Sequence, residues 1–82
     1  MIEAFVLVVV KPGNEEKVYE QVKKDPRVKE VYRVYGEYDI ILRVEVPTVE
    51  ELDKFHDETL RRIPDIEMTE TLIASTYRGV NG

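Results

Sequence analysis

One imidazole, one serine and no cysteine leave this 82-residue sequence few ways to make or break a covalent bond. Without cysteine there are no disulfides, thiolate metal sites or thiol nucleophiles. Zinc would have to be held by His56 and carboxylates, and Ser75 leaves no spare parts for a serine-histidine triad. His56 itself lies four residues from both Leu52 and Leu60, inside an apolar stripe. It reads either as a base or pH sensor or as a boundary histidine with one hydrogen-bond partner, and the stripe favours the second. Tyr32, Tyr35 and Tyr38 fall on adjacent predicted strands, as do the base-stacking aromatics of RNA-recognition domains. The glycine-aromatic signature of those domains is missing. A net charge of -5, with only the short pairs Lys23-Lys24 and Arg61-Arg62, argues against nucleic acid.

The elements that must position these residues follow from pattern. Ile2 to Val10 is nearly unbroken β-branched and aromatic sequence, a central strand buried on both faces. Lys11-Pro12-Gly13-Asn14 then supplies a turn and an N-cap at Asn14, backed by Glu15 and Glu16, for a short helix to about Lys24 with Val18, Val22 and Tyr19 inward. Asp25-Pro26 ends it. Val28, Val31, Tyr32, Val34 and Tyr35 mark a second strand, Gly36-Glu37 a tight type II′ hairpin, and Tyr38 to Val46 a third strand with Tyr38, Ile40, Leu42, Val44 and Val46 on one face. After Pro47, Thr48 and Glu51 form a capping box for a second helix to about Ile63, burying Leu52, Phe55, Thr59, Leu60 and Ile63. Ile66 to Tyr77 is a looser fourth strand. Residues 1–79 form one domain and 80–82 a frayed tail.

Strand, helix, strand, strand, helix, strand, with right-handed crossovers, predicts an α+β fold of ferredoxin-like βαββαβ topology: a four-stranded antiparallel sheet with both helices on one face. The other face would carry Phe5, Leu7, Val9 and Ile41. Each large side chain is worth roughly 1.5–3 kcal/mol when buried, so this patch predicts a dimer interface in which two sheets pack about a two-fold axis. No apolar run approaches the ~20 residues of a membrane span and no leader or lipid anchor is recognisable, which predicts a soluble, cytoplasmic protein. With 35% charged residues of both signs and few Asn, Gln, Met or Cys, the composition is that of a thermophile.

The segment Tyr35-Gly36-Glu37-Tyr38-Asp39-Ile40-Ile41-Leu42-Arg43-Val44 resembles part of the C-terminal effector-binding domain of the Lrp/AsnC transcriptional regulators, the RAM domain. Lys11-Pro12-Gly13, Val28-Lys29-Glu30-Val31-Tyr32, and Ile63-Pro64 with Thr69-Glu70-Thr71 fall in the family's order. The closing Ile-Pro-Asp-Ile departs from the expected Pro-Gly. Because the sequence opens directly at the first strand, it resembles the stand-alone form without the helix-turn-helix, which implies no direct DNA binding. The resemblance implies a non-catalytic domain with an amino-acid effector site between dimers of a larger ring and with full-length regulators of the family as further partners. No cofactor or metal is implied. Gly36, Glu37, Tyr38 and Asp39 of the hairpin and Thr69, Glu70 and Thr71 of the last strand match the family's pocket. Glycine lets backbone N–H groups approach an α-carboxylate, and Asp39 suits an α-ammonium. The same residues also have structural readings: Gly36 for the hairpin, Tyr38 for the core and Asp39 for nearby backbone donors.

Two other classes fit the topology. A small dimeric α+β-barrel enzyme, a monooxygenase or isomerase, would use His56 as base, but no acid-base companion stands near it in the pattern. A ligand-free oligomerisation module would need only the apolar face.

Overall fold

The computed structural model describes residues 1–74. The chain forms β1 (Ile2–Val10), α1 (Glu15–Val22), β2 (Val28–Arg33), β3 (Ile40–Val46), α2 (Val49–Glu58), a single 3-10 turn (Leu60–Arg62) and β4 (Ile66–Ile73). The strands form one antiparallel sheet in the order β2-β3-β1-β4. Alternation sends Ala4, Val6, Val8 and Val10 of β1 and Ile40, Leu42, Val44 and Val46 of β3 to the same face. There they meet Val18 and Val22 of α1 and Leu52 and Phe55 of α2 in one core. This is the ferredoxin-like α+β fold that the pattern predicts. The part of the fourth strand expected beyond Ala74, with Ser75, Tyr77 and the tail 80–82, lies outside the described residues.

Local departures have identifiable causes. Asn14 does not cap α1 with its side chain; its amide instead donates to Asp65 Oδ1 at 2.9 Å, tying the start of α1 to the turn before β4. α1 stops at Val22, because Asp25 N–H turns back to the Val22 carbonyl ahead of Pro26. Thr48 does cap α2, accepting the Glu51 N–H at 3.1 Å. α2 ends at Glu58 rather than Ile63, since the Thr59 hydroxyl is drawn aside to Asp25 Oδ2 at 2.5 Å and the chain tightens into the 3-10 turn.

The hairpin is not the two-residue turn expected. β2 ends at Arg33, β3 begins at Ile40, and Val34 N–H closes the connection onto the Asp39 carbonyl at 3.0 Å. Asp39 is held by β1, its N–H donating to the Val8 carbonyl at 2.9 Å and its carboxylate accepting from Val10 N–H at 2.8 Å. With Asp39 anchored there, the chain cannot fold back at Tyr38. Gly36 takes up the bend at φ +133°, a conformation that L side chains rarely adopt.

The Thr48 cap gives a direct check on the second helix. Thr48→Ala should cost about 1 kcal/mol, read as a lower urea midpoint with an unchanged slope.

Candidate functional site

On the sheet face away from the helices, the strand register lines up three rows. Tyr32, Ile41, Leu7 and Glu70 are neighbours across β2, β3, β1 and β4; Glu30, Arg43, Phe5 and Leu72 form the next row, and Val9 stands beside Met68. Phe5, Leu7, Val9 and Ile41 are half-buried within their own sheet, whereas Tyr32, Met68 and Leu72 are about half exposed. The apolar patch is thus wider than Phe5, Leu7, Val9 and Ile41 alone. Met68 and Leu72 escaped the pattern because the alternation of β4 is loose, and only its pairing with β1 shows which way they point.

The patch grades into charge at the end remote from the hairpin. Arg43 bonds Glu30 at 2.7 Å, Glu3 at 3.2 Å and also Glu45. Hydrogen bonds from Arg43, and then from Tyr32, hold the Glu30 carboxyl below its usual range. The single guanidinium thereby organises three carboxylates that would otherwise repel across the strands.

The hairpin and β4 residues matched by the resemblance occupy the same end of the sheet, divided between its faces. Gly36 and Glu37 are exposed in the loop. Tyr38 is not in the core: its hydroxyl donates to Glu70 Oε1 at 2.5 Å, spanning β1, which separates the two strands. That bond to a carboxylate, which favours the neutral phenol, raises the Tyr38 pKa. Asp39 commits one carboxylate oxygen to Val10 N–H and leaves the other for a further donor. Thr69 and Thr71 pair with Val8 and Val6, so they face the helices, opposite to Glu70. Thr71 Oγ1 lies 2.6 Å from His56 Nε2, and His56 Nδ1 lies 3.0 Å from the Leu52 carbonyl. His56 therefore has two partners where the sequence suggested one.

A second polar centre, invisible to motif reading, joins the far ends of the helices. Asp25 is buried; its carboxylate accepts from Arg27 N–H at 2.9 Å, from Arg27 Nε and Nη2 at 3.0 Å each, and from Thr59 Oγ1. Arg27 Nη1 reaches Glu51 at 3.0 Å and Glu58 at 3.2 Å, and its guanidinium lies over the Phe55 ring. Burial pushes the Asp25 carboxyl upward, but the hydrogen bonds from Arg27 and Thr59 outweigh it and hold the group below its usual range. Bonding to Asp25, then to Glu58 and Glu51, outweighs burial and raises the Arg27 pKa. The usable signal was Glu51, Phe55, Glu58 and Thr59 recurring along one helix face. These groups are mutually satisfied, as a structural clamp requires.

Among the described residues no group of three or more His, Asp or Glu side chains could hold a metal ion, and no helix is long and apolar enough to cross a membrane.

A small α+β sheet with an uncovered apolar face fits all three classes that the sequence left open, and similarity to known proteins separates them. The chain belongs to the Lrp/AsnC family: residues 3–76 match the Lrp/AsnC ligand binding domain. It is 39% identical over 70 residues to the HTH-type transcriptional regulator FL11 of Pyrococcus horikoshii, a match covering 85% of this chain and 46% of that one. The crystal structure of FFRP-DM1 shares 48% identity at a TM-score of 0.87, over 92% of this chain and 100% of that one. The transcriptional regulator NMB0573 of Neisseria meningitidis, solved as an L-Met complex, shares the fold at a TM-score of 0.82 and 18% identity, over 92% of this chain and 50% of its own. This chain spans about half the length of the curated relatives it matches. Those relatives are named as HTH-type transcriptional regulators, and the family match is to a ligand binding domain, which together favour a regulator over the dimeric barrel enzyme. The charge-rich composition fits relatives from Pyrococcus.

Proposed function

We propose that this chain is a non-catalytic, amino-acid-responsive regulatory domain of the cytoplasm that pairs with itself through the open sheet face. The pairs then assemble further, with copies of this chain or with full-length regulators of its family. The observation that carries this reading is the uncovered face built on Phe5, Leu7, Val9 and Ile41 and widened by Met68 and Leu72. A face so apolar calls for a cover, and the hairpin and β4 stand at its rim.

In this reading Gly36, Glu37, Tyr38 and Asp39 of one dimer approach Thr69, Glu70 and Thr71 of the next, and an amino acid bridges them. The family match to a ligand binding domain supports it, as does the L-Met bound by the Neisseria regulator. In the same reading the second oxygen of Asp39, which Val10 N–H does not use, accepts from the α-ammonium, and the exposed backbone at Gly36 donates to the α-carboxylate.

A thermal-shift screen of the twenty amino acids is the first test, because a ligand that binds the native state must raise stability. Calorimetric titration of Asp39→Asn with the strongest hit follows. Asparagine keeps an acceptor for Val10 N–H and removes the charge, so affinity should fall about tenfold or more, the worth of one charge-assisted hydrogen bond. Unchanged affinity with the assembly intact would return Asp39 to a purely structural role.

A further inference from the structure

The two partners of His56 fix where the neutral ring carries its proton. The Leu52 carbonyl has no hydrogen to give, so Nδ1, 3.0 Å away, must be the N–H. Nε2 is then an acceptor, and the Thr71 hydroxyl, 2.6 Å from it, must donate. With its only hydrogen committed, Thr71 Oγ1 presents lone pairs to any further group. Protonation from solvent adds a hydrogen at Nε2. The hydroxyl then accepts from the ring, and its own hydrogen is released to point elsewhere.

We propose that His56 is a specificity-determining residue of the effector site, setting whether the Thr71 hydroxyl can only accept, as from an ammonium, or can also donate to a carboxylate. The proposal rests on the effector reading above, in which Thr71 contacts the ligand. The surroundings suit a ligand-facing role. His56 lines a cavity of about 330 Å³ with Arg61, Glu67 and Thr69, near the lower end of the range for small-molecule clefts. It borders a second hollow with Asp53, Asp57 and Arg61. The charged groups that share these hollows with His56 are Asp53 and Asp57 from α2, Arg61 from the 3-10 turn and Glu67 from β4. Arg61 is itself paired with Asp57 at 3.5 Å. Charging the ring thus leaves Thr71 Oγ1 one free lone pair and a hydrogen free to donate.

Because His56 is the only histidine, nitrogen-15 NMR of the intact protein reads this ring alone. At about pH 8 the neutral ring should be the Nδ1–H tautomer, and Thr71→Val should move the Nε2 resonance while leaving Nδ1 in place. A neutral ring protonated at Nε2, or an Nε2 resonance indifferent to Thr71→Val, would overturn the coupling. The second arm titrates the twenty L-amino acids, one by one, at about pH 8 and about pH 5, on either side of the range in which imidazoles change charge. For an amino acid that binds, affinity should change about tenfold between the two pH values, the worth of one hydrogen bond gained or lost at Thr71 Oγ1, and Thr71→Val should abolish most of that change. Affinities indifferent to pH would overturn the proposal. If Thr71→Val keeps the whole change, repulsion by the charged ring explains it and the hydroxyl does not. If none of the twenty binds at either pH, the effector reading falls and the selectivity with it, whatever the nitrogen spectra show of the hydrogen bond.

Discussion

Leu7→Lys should turn an assembled protein into a folded monomer at micromolar concentration. Leu7 sits at the middle of the open face, between Ile41 on β3 and Glu70 on β4, with Phe5 and Val9 two residues away on its own strand. It points away from the core, so the substitution leaves the packing of Val6 and Val8 against the helices intact. In a two-fold dimer each change counts twice. Losing two buried leucines costs about 3–6 kcal/mol, a weakening of roughly 10²- to 10⁴-fold, before the desolvation of two ammonium groups is added. Sedimentation or light scattering, with circular dichroism to confirm the fold, makes the comparison. A monomeric wild type, or a Leu7→Lys variant as assembled as the wild type, would show that this face is not the interface.

The second large effect is expected far from that face. Asp25→Ala removes the acceptor for three donors of Arg27 and for the Thr59 hydroxyl. Breaking a fully buried ion pair costs about 3–5 kcal/mol. Here Arg27 keeps Glu51 and Glu58 and is partly solvated, so about 2–3 kcal/mol is the reasoned figure. For a domain of this size that corresponds to roughly 10–20 °C in Tm, compared at fixed protein concentration. The pH dependence has a definite sign. The Asp25 carboxyl lies below its usual range in the folded state, so its contribution is fully present above the unfolded value of about 3.9 and is lost as pH falls through the lower folded value. Acid titration of stability should therefore be shallower in Asp25→Asn than in the wild type. Parallel curves would mean that Asp25 is no more stabilised as an anion in the fold than in the unfolded chain.

How much could be read in advance differs from element to element. The alternation of Ala4, Val6, Val8 and Val10 and of Ile40, Leu42, Val44 and Val46 named the core face correctly, because β1 and β3 are central strands whose every residue must choose a side. The Thr48 cap was legible for a similar reason, since donor and acceptor are three residues apart. Asn14 carries the same kind of signal, yet a partner 51 positions away in Asp65 took its side chain. The hairpin at Gly36-Glu37 looked like a two-residue turn until Asp39 was found bound to Val8 and Val10, on a strand some thirty residues earlier.

Local sequence, then, determined the element order, the ferredoxin-like topology, the core face and the apolar strip of β1, all of which follow from side-chain period and from chain connectivity. Only the tertiary structure decided what crosses between elements. The pairing of β4 with β1 placed Met68, Glu70 and Leu72 on the open face and turned Thr69 and Thr71 toward the helices. Folding also brought Tyr38 to Glu70, Thr59 to Asp25 and His56 to Thr71. Hydrogen bonds are made between atoms a few ångströms apart in space, and a spacing of 32, 34 or 15 residues along the chain carries no trace of that proximity.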